Sequence, residues 1–170
     1  APDRIAAIAA GRLTVLVAAA RSGGYDPPWQ SVAVVPVGAV HPFPGAHREV
    51  RHLIADHDPA AIRLALLRFS YGHVADLSHA RLHRADETLG RWRFKVAMWH
   101  DMPPAPADQE IMATAGRALA SMLGTAAVLG QLHRLEIDEH VSSGTKFATF
   151  SALDRVLGLD LGHLVGKLLR

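Results

Sequence analysis

The spacing of the apolar residues between Ala60 and His100 is the feature that most restricts the fold of this chain. Large apolar side chains recur there at intervals typical of one helix face, and they fall within about 120° of arc. They are Leu64, Leu67, Tyr71, Val74, Leu82, Leu89, Trp92, Val96 and Trp99. The pattern predicts a long amphipathic helix that buries this face and that bends or divides at Gly72 or Gly90.

Proline and acidic residues predict where this helical region begins and ends. Asp58 precedes Pro59, the order of an N-cap residue and a proline in the first helical position. Three prolines within residues 101–106 predict its end. Upstream, a short helix is predicted from Ala46 to about Ala55, after an irregular Pro/Gly-rich segment near residues 22–45. Within that segment, residues 32–37 are at most an edge strand, because Pro36 cannot donate to a ladder.

Two more helices are predicted after the proline stop. One begins at Ala107 or Asp108 and extends to about His133 or beyond, and the last begins near Ser151 with a capping-box-like start. Small residues at four-residue spacing lie in both, and this spacing predicts close helix packing, either between these two helices or with a second copy of the chain. They are Gly116, Ala120 and Gly124 in the first helix, and Gly158, Gly162 and Gly166 in the second.

Residues 3–21 are apolar nearly all round and predict a buried first helix. The whole chain, residues 1–170, is therefore expected to be one all-α domain, a bundle of about four to six helices. Cysteine is absent, which fits a reducing compartment, so we expect a cytoplasmic protein. The longest uncharged apolar run, residues 118–132, is shorter than the roughly 18 residues that a membrane span needs. No membrane span is predicted.

Positive charge is concentrated in the middle of the sequence, where residues 60–99 carry seven Lys and Arg against three Asp and Glu. Arginine suits bidentate contact with phosphate, and aromatic residues lie between these cations. The segment therefore predicts nucleic acid as a second ligand, although Tyr71 and Trp92 already belong to the apolar stripe. The candidate residues are Arg63, Arg68, Arg81, Arg84, Arg91, Arg93 and Lys95.

The chain contains eleven histidines, and several of them suggest a metal site. If the long helix is continuous, His73, Asp76, His79 and His83 lie within about 120° of one another, opposite the apolar stripe. The four positions extend over about 15 Å along the axis, so one ion cannot bind all of them. A metal would need two of these residues and ligands from another helix; the alternative is a solvated polar face.

Two pairs, Arg51 with His57 and Arg134 with His140, fit the pattern R-x5-H. This spacing resembles the motif of HEPN-type ribonucleases, and the resemblance implies an all-α protein whose Arg and His cleave RNA at a dimer interface. Chance alone supplies about one such pair in a chain this rich in both residues. Phosphate-loop, dinucleotide-binding, serine-hydrolase and zincin motifs are absent from the sequence.

The sequence favours a helical binding or scaffold module that packs against a protein partner or against itself, with nucleic acid as a second ligand. The alternative from another class is a His-dependent enzyme, either a metal-bound hydrolase or a HEPN-like ribonuclease. An enzyme should bring His and carboxylate together in a concave pocket, whereas a scaffold should expose apolar surface. No cofactor and no catalytic residue can be assigned from the sequence.

Overall fold

A computed structural model describes residues 50–70, 73, 75–121 and 123–167, together with four short strands at 8–10, 13–18, 34–36 and 40–42. For those strands and for residues 50–52, only the backbone is described. The protein is predominantly helical, as the sequence predicts, and residues 50–167 form a helical bundle.

Six α-helices lie in the described residues. They are α1 (Val50–Asp56), α2 (Pro59–Leu67), α3 (His79–His100), α4 (Gln109–Ala120), α5 (Thr125–Ile137) and α6 (Ser143–Leu157), followed by a 3₁₀ turn at Leu161–Leu164. Asp58 caps α2 by accepting from the N–H of Ala60, and Asp108 caps α4 by accepting from the N–H groups of Glu110 and Ile111. Both starts are where the sequence predicts them.

The core lies along α3, which packs against α2, α6 and the 3₁₀ turn. Trp92 is fully buried and meets the ring of Phe150 edge-on, with 5.5 Å between the centroids. Leu82, Leu89 and Val96 are buried on the same face of α3, so the predicted apolar stripe is confirmed there. Tyr71 and Val74 lie outside the described residues.

The predicted helix from Ala60 to His100 is divided in the structure. It ends at Leu67, and a short strand, β5 (Ala75–Leu77), precedes α3. The break falls close to Gly72, whereas Gly90 lies inside the unbroken α3. The predicted helix from Asp108 to His133 is likewise two helices, because the chain turns between Ala120 and Thr125. There the N–H of Gly124 donates to the carbonyl of Ala118, and a methyl on Gly124 would lie only 2.8 Å from that oxygen.

The prediction of a helix at residues 3–21 is wrong where the structure describes them. Ile8–Ala10 (β1) and Leu13–Ala18 (β2) are antiparallel strands, and β2 pairs in parallel with β3 (Val34–Pro36). A short apolar run fits a buried strand and a buried helix equally well, and Thr14, Val15 and Val17 favour the strand. Pro36 lies on an edge strand, as expected, and β4 (Val40–Pro42) pairs in parallel with β5.

The last helix begins earlier in the chain than the sequence predicts. α6 begins at Ser143, where the hydroxyl of Ser142 accepts from the N–H of Thr145. It ends at Leu157, so the predicted start at Ser151 lies in its middle. Asp154 does not cap a helix N-terminus; its carboxylate accepts from the N–H groups of Leu159 and Leu161 and fixes the turn that follows α6.

No helix in the described residues is long and apolar enough to cross a membrane.

Candidate functional site

Glu136, in the last turn of α5, has a buried carboxylate that joins α5 to α3. Its side chain is 1% exposed. Oε1 accepts from Arg91 Nε at 2.7 Å and lies 3.0 Å from Lys95 Nζ, and Oε2 accepts from Trp92 Nε1 at 2.8 Å. His133, one turn earlier on α5, has Nδ1 3.4 Å from Oε2. Two successive turns of α3 and one histidine of α5 thus converge on one carboxylate.

The pKa of Glu136 reports how strongly these contacts favour the charged form. Burial alone would raise the pKa, because it removes the carboxylate from water. Hydrogen bonds from Arg91, Trp92 and Lys95, with the charge of Arg91, outweigh burial and lower the pKa from 4.5 to about 2. Glu136 is therefore ionised at neutral pH.

Glu136 lies beside three basic side chains. The ion pairs of Arg91 and Lys95 in the described part of the chain both end on this one carboxylate. Lys146 is 8% exposed, and its Nζ lies 3.5 Å from the backbone oxygen of Glu136 and 5.5 Å from the ring centroid of Trp99. Two of these cations thus share the carboxylate, and the third lies next to the backbone oxygen of the same residue. The region can attract a further anionic group.

The solvent side of α3 next to this cluster is apolar as well as basic. Phe94 is 52% exposed, and Met98 and Met102 are each 47% exposed. Together with Arg91 and Lys95 they follow one line along α3 and just beyond its end. We call these five residues the outer stripe.

Arg93 forms a second network that ties the C-terminal turn to the bundle. Its Nη1 lies 2.5 Å from Asp58 Oδ2, and its Nε donates to the carbonyl of Asp160 at 2.9 Å. Burial by itself would raise the pKa of Asp58, but hydrogen bonds from Arg93 and from the N–H of Ala60 outweigh it and lower that pKa. Arg93 therefore stabilises the contact between the start of α2 and the turn after α6.

The residues predicted to bind nucleic acid divide into two groups. Arg91, Arg93 and Lys95 contact carboxylates of this chain, and Arg81 pairs with Asp76 at 3.3 Å while its guanidinium lies over the ring of Phe69. Arg63, Arg68 and Arg84 are exposed, and no ion pair among the described residues involves them.

The predicted metal residues do not share one helix face. His73 precedes β5, Asp76 lies in β5, and His79 and His83 lie in the first two turns of α3. Asp76 pairs with Arg81, and His83 pairs with Glu87 at 3.3 Å. Within the described ranges, no three His, Asp or Glu side chains are arranged so that they could hold a metal ion.

Sequence reasoning missed the contact between His57 and Asp86. His57 Nδ1 lies 2.5 Å from Asp86 Oδ2, and Asp86 Oδ1 accepts from the N–H of Asp58 at 3.3 Å. The two residues are far apart in the chain, so no local pattern points to the pair. Of the two R-x5-H pairs, the side chain of Arg51 lies outside the described residues, and Arg134 and His140 are both exposed. The ribonuclease and metal-hydrolase alternatives stay predictions.

The small residues predicted to form packing ridges do not form a ridge on the last helix. Gly158 follows α6 with φ +63°, Gly162 lies in the 3₁₀ turn, and Gly166 has φ +71°. The predicted ridge is wrong because α6 ends before them. Gly116 and Ala120 are exposed on α4, and a methyl on Gly116 would meet no atom within 4 Å. Contact of that face with a second copy stays a prediction.

No family model matches the chain. Two curated proteins are similar to it, each named L-cysteine:1D-myo-inositol 2-amino-2-deoxy-alpha-D-glucopyranoside ligase. The protein of Kytococcus sedentarius is 34% identical over 125 residues, which cover 64% of this chain and 28% of the relative. The protein of Streptomyces avermitilis is 36% identical over 105 residues, which cover 62% of this chain and 25% of the relative. The chain resembles one part of a ligase. It spans about a quarter of the length of these relatives.

Proposed function

We propose that the helical bundle is an accessory module of a ligase-related protein, and that it packs against another protein unit rather than carrying the reaction itself. The observation that carries the proposal is the similarity to two cysteine ligases over about a quarter of their length. The remaining three quarters of those relatives have no counterpart in this match. We assign the ligation chemistry to that part.

The outer stripe supports this role. One face of α3 is buried in the core, where Leu89, Trp92 and Val96 are each about 1% exposed. The opposite face exposes Phe94, Met98 and Met102, which are too large and too close together to be ordinary solvated positions. A contiguous apolar surface with a charged border is typical of a protein–protein contact.

A chimera tests the proposal. In the Streptomyces avermitilis ligase, the region that matches this chain is replaced by the matching residues of this chain, and ligation of L-cysteine to the amino sugar in the relative's name is measured. We expect the chimera to retain activity and the corresponding deletion to lose it. A chimera that folds, as judged by a cooperative thermal melt, but is as inactive as the deletion contradicts the proposal. Ligation by this chain alone also contradicts it.

Binding of a polyanion is the second candidate function, and the exposed Arg63, Arg68 and Arg84 favour it. Because their charges are not neutralised by a described carboxylate, they are available to phosphates. Single-stranded RNA should bind at low salt, and Arg84→Glu should weaken binding, while Arg155→Glu, at an exposed position on α6, should weaken it less. Equal effects of the two variants would show that only net charge matters and would contradict a defined site.

A further inference from the structure

We propose that the outer stripe of α3 binds an amphipathic helix of a partner protein whose polar positions are acidic. The inference rests on the proposed accessory function, because it specifies the chemistry of the unit against which the bundle packs.

The spacing of the stripe matches a helical partner. Arg91, Phe94, Lys95, Met98 and Met102 follow at i, i+3, i+4, i+7 and i+11. At 100° per residue they fall within about 100° of arc, and they extend over about 16 Å of axis. A row of side chains with this spacing forms a ridge that fits into the groove of a second helix. An extended strand would instead need an exposed sheet edge for its backbone hydrogen bonds.

The charge beside the stripe selects an acidic partner. Arg91 and Lys95 share the single carboxylate of Glu136, and their side chains remain 42% and 35% exposed. Part of each side chain is therefore open to a carboxylate of the partner. Lys146 is too buried to touch the partner, but its charge adds to the attraction from behind. The exposed Glu87 and Asp101 lie at the two ends of the stripe, so the acidic positions of the partner belong opposite its middle, over Arg91 and Lys95.

The end of α5 carries a further exposed apolar side chain. Ile137 follows Glu136 directly and is exposed, and the carboxylate of Glu136 is in contact with Arg91 and Lys95. The exposed apolar side chains are thus not confined to α3. A helix that buries Phe94 and Met98 and places its acidic residues over Arg91 and Lys95 satisfies both the apolar and the basic parts of the surface.

Two synthetic peptides test the proposal by fluorescence anisotropy. Each has about 18 residues, long enough at 1.5 Å per residue to cover the stripe, with leucines on one helix face and either glutamate or lysine on the other. We expect the acidic peptide to bind at least about tenfold more tightly than the basic one at low salt, a preference that added salt should reduce. Equal or tighter binding of the basic peptide overturns the proposal, as does no binding of either peptide up to about 1 mM.

A pair of surface variants locates the binding. Met98→Asp should weaken binding of the acidic peptide at least about tenfold, because it places a carboxylate in the middle of the stripe. Val156→Asp is the matched control, since Val156 is an apolar residue on α6 that is even more exposed than Met98, and it should change binding less than about twofold. Equal effects overturn the proposal. Thermal melts check that both variants stay folded.

The outcomes separate this inference from the accessory function. A chimeric ligase that stays active while neither peptide binds leaves the accessory function in place and rejects the acidic helix. Binding of the acidic peptide together with an inactive chimera rejects the accessory function and leaves the acidic helix in place. Sedimentation of the wild-type chain as a dimer that Met98→Asp dissociates would identify a second copy as the occupant, and would overturn the proposed partner.

Discussion

Replacing Glu136 by glutamine should remove the charge of the buried carboxylate while preserving its shape. The pKa of Glu136 is lowered from 4.5 to about 2 in the folded protein. At about 1.4 kcal/mol per unit, ionisation therefore stabilises the fold by about 3 kcal/mol at pH 7. Because the folded pKa is the lower one, this stabilisation is complete above pH 4.5 and is lost as the pH falls through about 2. Near pH 3, about 1.5 kcal/mol should remain.

Urea unfolding of the wild-type chain and of Glu136→Gln, at pH 7 and at pH 3, measures both quantities. We expect a difference of about 3 kcal/mol at pH 7, which is about half as large at pH 3. Glu87→Gln is the control, because Glu87 has an exposed side chain paired only with His83 among the described ion pairs, and it should change the free energy of unfolding by less than about 0.5 kcal/mol. A difference at pH 7 no larger than that of the control, or one that does not shrink at pH 3, would refute the assignment.

Two further predictions concern packing and the C-terminal turn. Gly144→Ala should lower the free energy of unfolding by about 1–3 kcal/mol, because the methyl would collide with the backbone of Pro103 and lie 2.9 Å from the nitrogen of Ala105. Gly116→Ala, on an open helix face, should raise the free energy of unfolding by up to about 1 kcal/mol. If the two variants shift the melting temperature in the same direction, this reasoning is wrong. Arg93→Ala should speed hydrogen exchange of the amides of residues 159–164 about tenfold or more. Exchange as slow as in the wild-type chain would show that Leu161 and its apolar neighbours hold this turn in place without Arg93.

Much of the helical bundle could be predicted from local patterns. The core face of α3 was readable because Leu82, Leu89 and Trp92 repeat at the helical period, and side chains at that period must lie on one face. The starts of α2 and α4 were readable because an aspartate before a helix satisfies free N–H groups within its own first turn. Both signals act within a few residues, so they need no knowledge of the rest of the fold.

Only part of the candidate site could be predicted from the sequence. Arg91, Arg93 and Lys95 were recognised as a concentration of charge, but their partners Glu136 and Asp58 lie far away in the sequence. Only the tertiary structure decides that Arg91 and Lys95 share the one buried carboxylate of Glu136. The helical period leaves Phe94 and Met98 outside the buried face of α3, but only the structure shows that both stay about half exposed.

The sequence by itself therefore determined the class of fold, the helix starts that carry their own caps and the buried face of α3, because each depends on contacts between near neighbours in the chain. Only the tertiary structure decided that residues 8–10 and 13–18 are strands, that the chain turns at Gly124 and that Glu136 gathers Arg91, Trp92 and Lys95. The physical reason is the same in each case: strand pairing, close backbone approach and buried ion pairs depend on groups that are brought together only when the chain folds.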